Sequence, residues 1–323
     1  MKYLVTGGAG FIGSHLVERL LKDGHEVTIL DDLSTGRIEN IEEFRTRTEL
    51  RLVTGSVTDD EAVKRIVEGH DAIFHLASPV GLRLAVSEPV ESMEVIGVGT
   101  ACVMRYASQE NVPVLVASGA EVYGRTEEAP LKEDRDLVFP APPAIRWGYG
   151  SAQLMQEYLA TSYARQKGAR VIVTRLFNVV GPRQLGYYGM VLPRFVEQAL
   201  TGGPITVYGE GYQTRCFCHV DEVVETFVRL VNTSSAFGEI VNIGSSEEIS
   251  IRDLAVRVRD LVNEDATIEY VPYEQAYGEG FEEVSRRTPD LTRLNQLAGM
   301  TPSMSIDDIV KSVHQDRKAL LQS

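Results

Sequence analysis

Three glycines spaced three apart, Gly7, Gly10 and Gly13, stand between an apolar run, Tyr3-Leu4-Val5, and a stretch with helical periodicity through Ile12, Leu16, Val17, Leu20 and Leu21. At such a turn the first glycine permits a tight bend, the second lets the backbone approach a pyrophosphate, and the third lets helix and strand pack closely. The free N–H groups and the dipole at the helix start, near Phe11 and Ile12, attract phosphates. A second strand pattern, Glu26-Val27-Thr28-Ile29-Leu30, ends at Asp31-Asp32. A carboxylate there can accept hydrogen bonds from an adenosine ribose and repels a 2′-phosphate. Strand, glycine turn, helix, strand and acid together predict a dinucleotide site, with NAD favoured over NADP.

The elements that must hold this turn follow in order. Residues 51–54 read as a third strand, 59–67 as a helix, 72–76 as a fourth strand and 91–110 as a helix. Residues 114–117 read as a fifth strand, 150–167 as a strong helix and 171–174 as a sixth strand. Such alternation predicts an α/β chain built as a Rossmann-type, doubly wound parallel sheet. Ligands then sit beyond the carboxyl ends of the strands, so the loops after Leu76, Ala117 and Thr174 should face the cofactor. After Gly181-Pro182 the elements shorten and mix: 187–203, 205–208, 221–232 and 250–263. The expected division is residues 1–180 as the dinucleotide-binding domain and 181–323 as a smaller C-terminal portion that closes over the site, with the chain free to cross back to the first domain. The proline-rich stretch 138–143 reads as a surface loop.

The totals narrow the function. The chain has 323 residues, 43% of them hydrophobic, and a net charge of −14. That charge disfavours nonspecific binding to nucleic acid or an anionic membrane, and no apolar run reaches the ~18 residues of a membrane span. Met1 leads directly into the first strand, with no signal peptide. Cys102, Cys216 and Cys218 make no disulfide framework, and the Cys216/Cys218 pair, with only His219 beside it, makes no zinc site. No metal is expected, and a reducing cytoplasm suits the cysteines.

Three further stretches, 74–78 (Phe-His-Leu-Ala-Ser), 117–124 (Ala-Ser-Gly-Ala-Glu-Val-Tyr-Gly) and Tyr149 before its helix, join the glycine turn in a resemblance. The chain resembles the extended short-chain dehydrogenase/reductases that act on nucleotide sugars, such as UDP-glucose 4-epimerases, UDP-glucuronate decarboxylases and 4,6-dehydratases. Arg175-Leu176-Phe177-Asn178, Gly181-Pro182-Arg183, Val207-Tyr208-Gly209, Gln213-Thr214-Arg215 and Arg287-Thr288-Pro289-Asp290 extend it over nearly the whole chain. The resemblance implies that bound NAD oxidises a sugar at carbon 4. A tyrosine takes the hydroxyl proton, a lysine four residues later lowers its pKa, and a serine or threonine shares the hydrogen bond. An ordinary tyrosine titrates near ~10, and a nearby cation favours its charged form.

Carried over residue by residue, the resemblance places Tyr149 as the base, Glu121 as the acid that decarboxylases and dehydratases use near carbon 5, and Ser118 near the hydroxyl position. Gly7, Gly10, Phe11, Ile12, Gly13, Asp31, Asp32, Ser56, Val57, Leu76, Ala77, Ser78, Tyr149, Gln153 and Phe177 would contact the cofactor. Asn178, Arg215 and Arg287 would hold the sugar nucleotide's pyrophosphate, where arginine forks suit phosphate. Tyr208 would lie near the uracil, and Arg194 is a further candidate for the substrate. The chain departs from the pattern at the triad. Gln153 stands at the lysine position, able to hydrogen-bond but not to supply a cation, and Gly119 stands at the hydroxyl position. Ala120 replaces a decarboxylase serine, Ser56 an aspartate that meets adenine, and Ile96 an asparagine.

Three readings follow. The first is an NAD-dependent enzyme that modifies a UDP-sugar through a 4-keto intermediate, by 4-epimerisation foremost. The second is decarboxylase-type or other lyase or isomerase chemistry using Glu121. The third is a non-catalytic nucleotide-sugar-binding homologue. The resemblance also implies a homodimer through a four-helix bundle, from helices near 91–109 and 150–167, with Met93, Val103, Met104, Leu154 and Tyr158 on their outer faces.

Overall fold

The computed structural model describes residues 1–79, 87–126, 128–142, 144–186, 189–277 and 282–322. Its first part alternates as the apolar runs require: β1 (Lys2–Thr6), α1 (Phe11–Lys22), β2 (Glu26–Asp31), β3 (Leu50–Thr54), α2 (Asp60–Val67), β4 (Ala72–His75), α3 (Pro89–Gln109), β5 (Val114–Gly119), α4 (Gly148–Lys167), β6 (Val171–Leu176) and β7 (Val179–Val180). Then come α5 (Val191–Leu200), β8 (Ile205–Tyr208), β9 (Thr214–Cys216), β10 (Cys218–His219), α6 (Val220–Val231), β11 (Ile240–Ile243), β12 (Glu248–Ser250), α7 (Ile251–Val262), β13 (Ile268–Val271), α8 (Tyr273–Tyr277), β14 (Arg286–Arg287), α9 (Thr292–Ala298) and α10 (Ile306–Gln322). Tyr187, where the sequence suggests the first of the shorter mixed elements, and Pro143, at the end of the proline-rich loop, lie outside the described residues.

The main sheet has seven strands in the order β11-β6-β5-β4-β1-β2-β3, every pairing parallel. A parallel sheet is covered on both faces, so its strands are continuous apolar runs. Alternate residues of β1 serve opposite faces. Tyr3 and Val5 join Leu16, Val17 and Leu20 of α1 and Val223, Val224 and Phe227 of α6 in one core. Leu4 joins Val63 and Ile66 of α2, Val103 and Met104 of α3, and Ala160 of α4 in the other. Asp59 starts α2 by accepting the N–H of Ala62.

The chain runs outward from β1 to β3, then returns to the far side of β1 for β4. The carboxyl ends of β1 and β4 therefore diverge, and that crevice is where such a sheet binds ligands.

Two sequence expectations change. Val103 and Met104 are fully buried against the sheet and Leu154 is partly buried, so these three do not form an outer helix face. The exposed apolar residues of α3 and α4 are Val90, Met93, Val98, Met155 and Tyr158. The reason is that α3 is apolar on more than one side. And β11, which the sequence reading left unassigned, extends the first sheet beside β6. A separate core joins α5, α7 and α10 through Leu192, Phe195, Leu254, Ile309 and Val313. Among the described residues no helix is long and apolar enough to cross a membrane.

Candidate active site

The glycine turn follows β1 directly. Gly7 has φ +72°, and a Cβ there would lie 2.9 Å from the Ala77 nitrogen beyond β4. A Cβ on Gly13 would overlap the Gly7 carbonyl oxygen. These two positions need glycine, one for conformation and closeness, the other for closeness alone. Asp31 ends β2 and accepts the N–H groups of Ala9 at 2.9 Å and Leu33 at 2.9 Å. Burial raises its carboxyl above the ordinary value, against those two donors. Asp32 accepts from the backbone and hydroxyl of Ser34.

A cavity of about 460 Å³ runs along this crevice. It is lined by Gly7, Gly10, Phe11, Ile12 and Gly13, by Asp31, Asp32 and Val57, and by Leu76, Ala77 and Ser78. The same cavity reaches Ser118, Gly119, Glu121, Tyr149 and Gln153, then Asn178, Arg194, Tyr208, Arg215 and Arg287. Two expected residues stand outside it. Ser56 bonds its neighbour Thr58 at 2.9 Å, and the Phe177 ring is fully buried 5.9 Å from that of Tyr123.

Tyr149 sits at the start of α4, and its phenol oxygen accepts from Gln153 Nε2 at 3.0 Å. Burial pushes the phenol up to about 12; the Ser78 hydroxyl works against this and the Glu121 carboxylate adds to it. Arg146 does not supply the missing cation. Its guanidinium lies over the Trp147 ring at 4.5 Å and 3.9 Å from Glu283. Ser118 lines the cavity, but its hydroxyl donates to Glu157 at 2.6 Å, and Glu157 in turn is held by the buried Arg175 guanidinium at 2.8 Å. The hydroxyl proton is thus committed away from Tyr149. His75 is a core histidine, with its ring nitrogens bonded to Thr6 and Thr100.

The far wall carries charge. Glu121 pairs with Arg287, and Arg215 pairs with Glu283 at 2.5 Å. Although burial alone would raise the Glu121 carboxyl, the Arg287, Arg146 and Arg215 guanidinium groups hold it down at about 2. Arg194 stacks over the Tyr208 ring at 4.0 Å and donates to Thr206. The Asn178 amide donates to the Cys216 carbonyl. Arg146 and Glu283 were not singled out as contacts from the sequence. Glu283 sits in an ordinary-looking charged run, so composition offered no signal, whereas Arg146 stands three residues before Tyr149.

The residues fit a dinucleotide: a turn closed to side chains, a helix start with free N–H groups, and acids at the end of β2 share one cavity with Tyr149. Residues 3–244 match the model of the NAD dependent epimerase/dehydratase family. The chain is 38% identical over 313 residues to a UDP-N-acetyl-alpha-D-glucosaminuronate decarboxylase of Bacillus cytotoxicus, covering 97% of this chain and 96% of that one. It is similar to the crystal structure of the UDP-glucose 4-epimerase of Thermotoga maritima with UDP-glucose, with a TM-score of 0.88, 28% identity, and coverage of 99% of this chain and 100% of that one. It is also similar to the UDP-glucuronic acid 4-epimerase of Bacillus cereus in complex with UDP-glucuronic acid and NAD, with a TM-score of 0.87, 25% identity, and coverage of 99% and 100%. Glycine turn, sheet order and a match over three quarters of its length lead to one conclusion: this chain belongs to the NAD dependent epimerase/dehydratase family of enzymes.

Proposed function

We propose that the chain binds NAD and a UDP-sugar in this cavity and modifies the sugar through a 4-keto intermediate, with 4-epimerisation as the reaction. The observation that supports it is one cavity lined at once by the glycine turn, by Tyr149 and by Arg215 and Arg287. When bound, NAD supplies the hydride acceptor and donor for carbon 4. Tyr149 handles the proton of the 4-hydroxyl at its phenol oxygen. Arg215, Arg287 and Asn178 hold the pyrophosphate, and Tyr208, under Arg194, lies near the uracil. Glu121, held ionised by Arg287, orients the sugar.

A second reading is decarboxylation. The 38% identity to a decarboxylase favours it, and Ala120, which has no hydroxyl to offer, counts against it. Chromatographic separation followed by mass spectrometry of a UDP-sugar panel after incubation separates the two: a new peak of unchanged mass supports epimerisation, loss of carbon dioxide from a UDP-uronate supports the second reading, and no new species from any sugar overturns both. We further propose a cytoplasmic homodimer through α3 and α4, whose exposed Val90, Met93, Val98, Met155 and Tyr158 make an apolar surface that favours burial.

A further inference from the structure

Gln153 is 4% exposed, and its amide is half used. Nε2 donates to Tyr149 Oη, while Oε1 has no partner among the described residues. A phenol oxygen that accepts from an amide keeps its own proton for another acceptor. Tyr149 and Ser78 both line the cavity, so that proton can go to the Ser78 hydroxyl or to a ligand.

Gly119 gives this arrangement room. Its backbone, φ −142° and ψ 168°, is extended and open to any residue. A Cβ would stand 3.1 Å from both Nε2 and Oε1 of Gln153, so glycine spares the amide a shift of a few tenths of an ångström. A lysine at 153 would bring a positive charge to the phenol and favour the phenolate. The amide brings a donor and no charge. Of the groups acting on the phenol, Glu121 opposes its ionisation and the Ser78 hydroxyl favours it.

Resting on the UDP-sugar reading above, we propose that Gln153 and Gly119 are a matched pair that keeps Tyr149 a proton donor and so tunes the site to the carbonyl form of the sugar, a UDP-4-keto sugar. Gln153 is a positioning residue that acts through Tyr149. A neutral phenol donates to a carbonyl oxygen; a phenolate repels it. The site therefore holds the keto form more firmly than a site with a lysine would.

The test is calorimetric titration of UDP, UDP-6-deoxyglucose and UDP-4-keto-6-deoxyglucose into the NAD-loaded protein, near pH 7 and near pH 9. Three proteins are compared: the parent, Gln153→Met, and Gly119→Thr with Gln153→Lys. Tyrosinate absorbance, as the difference between each protein and its Tyr149→Phe version, reports the phenol directly. The parent should bind each sugar equally at both pH values, because a neutral phenol donates to the carbonyl and to the hydroxyl oxygen alike. Tyr149 should show no tyrosinate below about pH 10, the ordinary tyrosine value. The double variant should ionise at lower pH, and its keto-sugar affinity should fall by roughly threefold to tenfold relative to the 4-hydroxy sugar as pH rises, because a hydroxyl can donate to a phenolate and a carbonyl cannot. Gln153→Met should weaken binding of both sugars relative to UDP without new tyrosinate, because the phenol loses the amide donor that turns its proton toward the ligand. A keto-to-hydroxy affinity ratio near pH 9 that is the same in the parent and the double variant with UDP binding intact, or a Gln153→Met protein that behaves as the parent, overturns the proposal. Failure of UDP itself to bind overturns the UDP-sugar reading as well.

Discussion

Glu121, just past β5, and Arg287, in β14, form an ion pair across 166 positions of chain. The pair fixes which group is fit to move a proton. A carboxyl held at about 2 is ionised at any working pH and is a weak base. Tyr149, pushed up to about 12, is a strong base but is rarely ionised. Turnover should therefore be weak near neutrality and rise with pH, because below the phenol's pKa each unit of added pH multiplies the phenolate by ~10. Tyr149→Phe should lower kcat by ~10²–10⁴-fold, and Glu121→Gln by less. Steady-state rates from pH 7 upward check both. A flat profile, or activity that survives Tyr149→Phe and vanishes with Glu121→Gln, would move the proton to Glu121.

Arg215 reaches the cavity while paired to Glu283. If it holds the substrate pyrophosphate, Arg215→Ala should weaken UDP-sugar binding by ~1.5–3 kcal/mol, typical of a hydrogen bond to a charged group. Glu283→Gln should tighten it, since the competing carboxylate is gone. NAD affinity should barely move in either variant. Unchanged UDP binding in Arg215→Ala would show that the substrate lies elsewhere.

Cofactor choice should follow the end of β2. Asp31, fixed by two backbone donors at the cavity wall, would set its carboxylate against a 2′-phosphate. NAD should bind much more tightly than NADP in calorimetric titration. Equal affinities would mean that Asp31 does not face the ribose.

The exposed row on α3 and α4 should be covered in solution. Sedimentation should show a dimer that Met155→Glu with Tyr158→Glu drives toward monomer, because charges on a buried apolar contact go unpaired. A parent monomer at every concentration would contradict this.

His75 couples the fold to acid. Burial lowers its imidazole from 6.5 to about 4. A depressed histidine contributes stability that is complete above pH 6.5 and is lost as pH falls through about 4. The loss from this group is at most about 3 kcal/mol. Urea unfolding from pH 7 down to pH 4 should show His75→Gln less pH-dependent than the parent, whatever its absolute stability. Equal slopes would assign the acid sensitivity to other groups.

The first six strands were legible because parallel strands buried on both faces leave continuous apolar runs, as in Ile73-Phe74 and Leu115-Val116. Gly7 was legible because so few residues tolerate its φ. Strand β11 was not. Asn242, at its centre, looks like a loop residue, yet it is fully buried. Its amide bonds the Leu131 carbonyl and accepts from Tyr123, partners more than a hundred positions away. The commitment of Ser118 to Glu157 was equally hidden, because only the fold brings β5 onto α4. The Gln153 and Gly119 departures were visible as single letters. Their closeness was not, since it joins a strand end to a helix.

Strand β11 also bears on how the chain is made. Until Ile243 has left the ribosome, β6 is an open edge with unpaired backbone donors, and Phe227 is not yet in place over Phe74. A nascent chain cut off near residue 180 would carry every cofactor-turn residue and still lack the last strand and one covering helix of its sheet. Such a fragment should be a client for chaperones or proteases rather than a working half. Release of nucleotide-binding activity during synthesis should wait for the passage of residues 240–243.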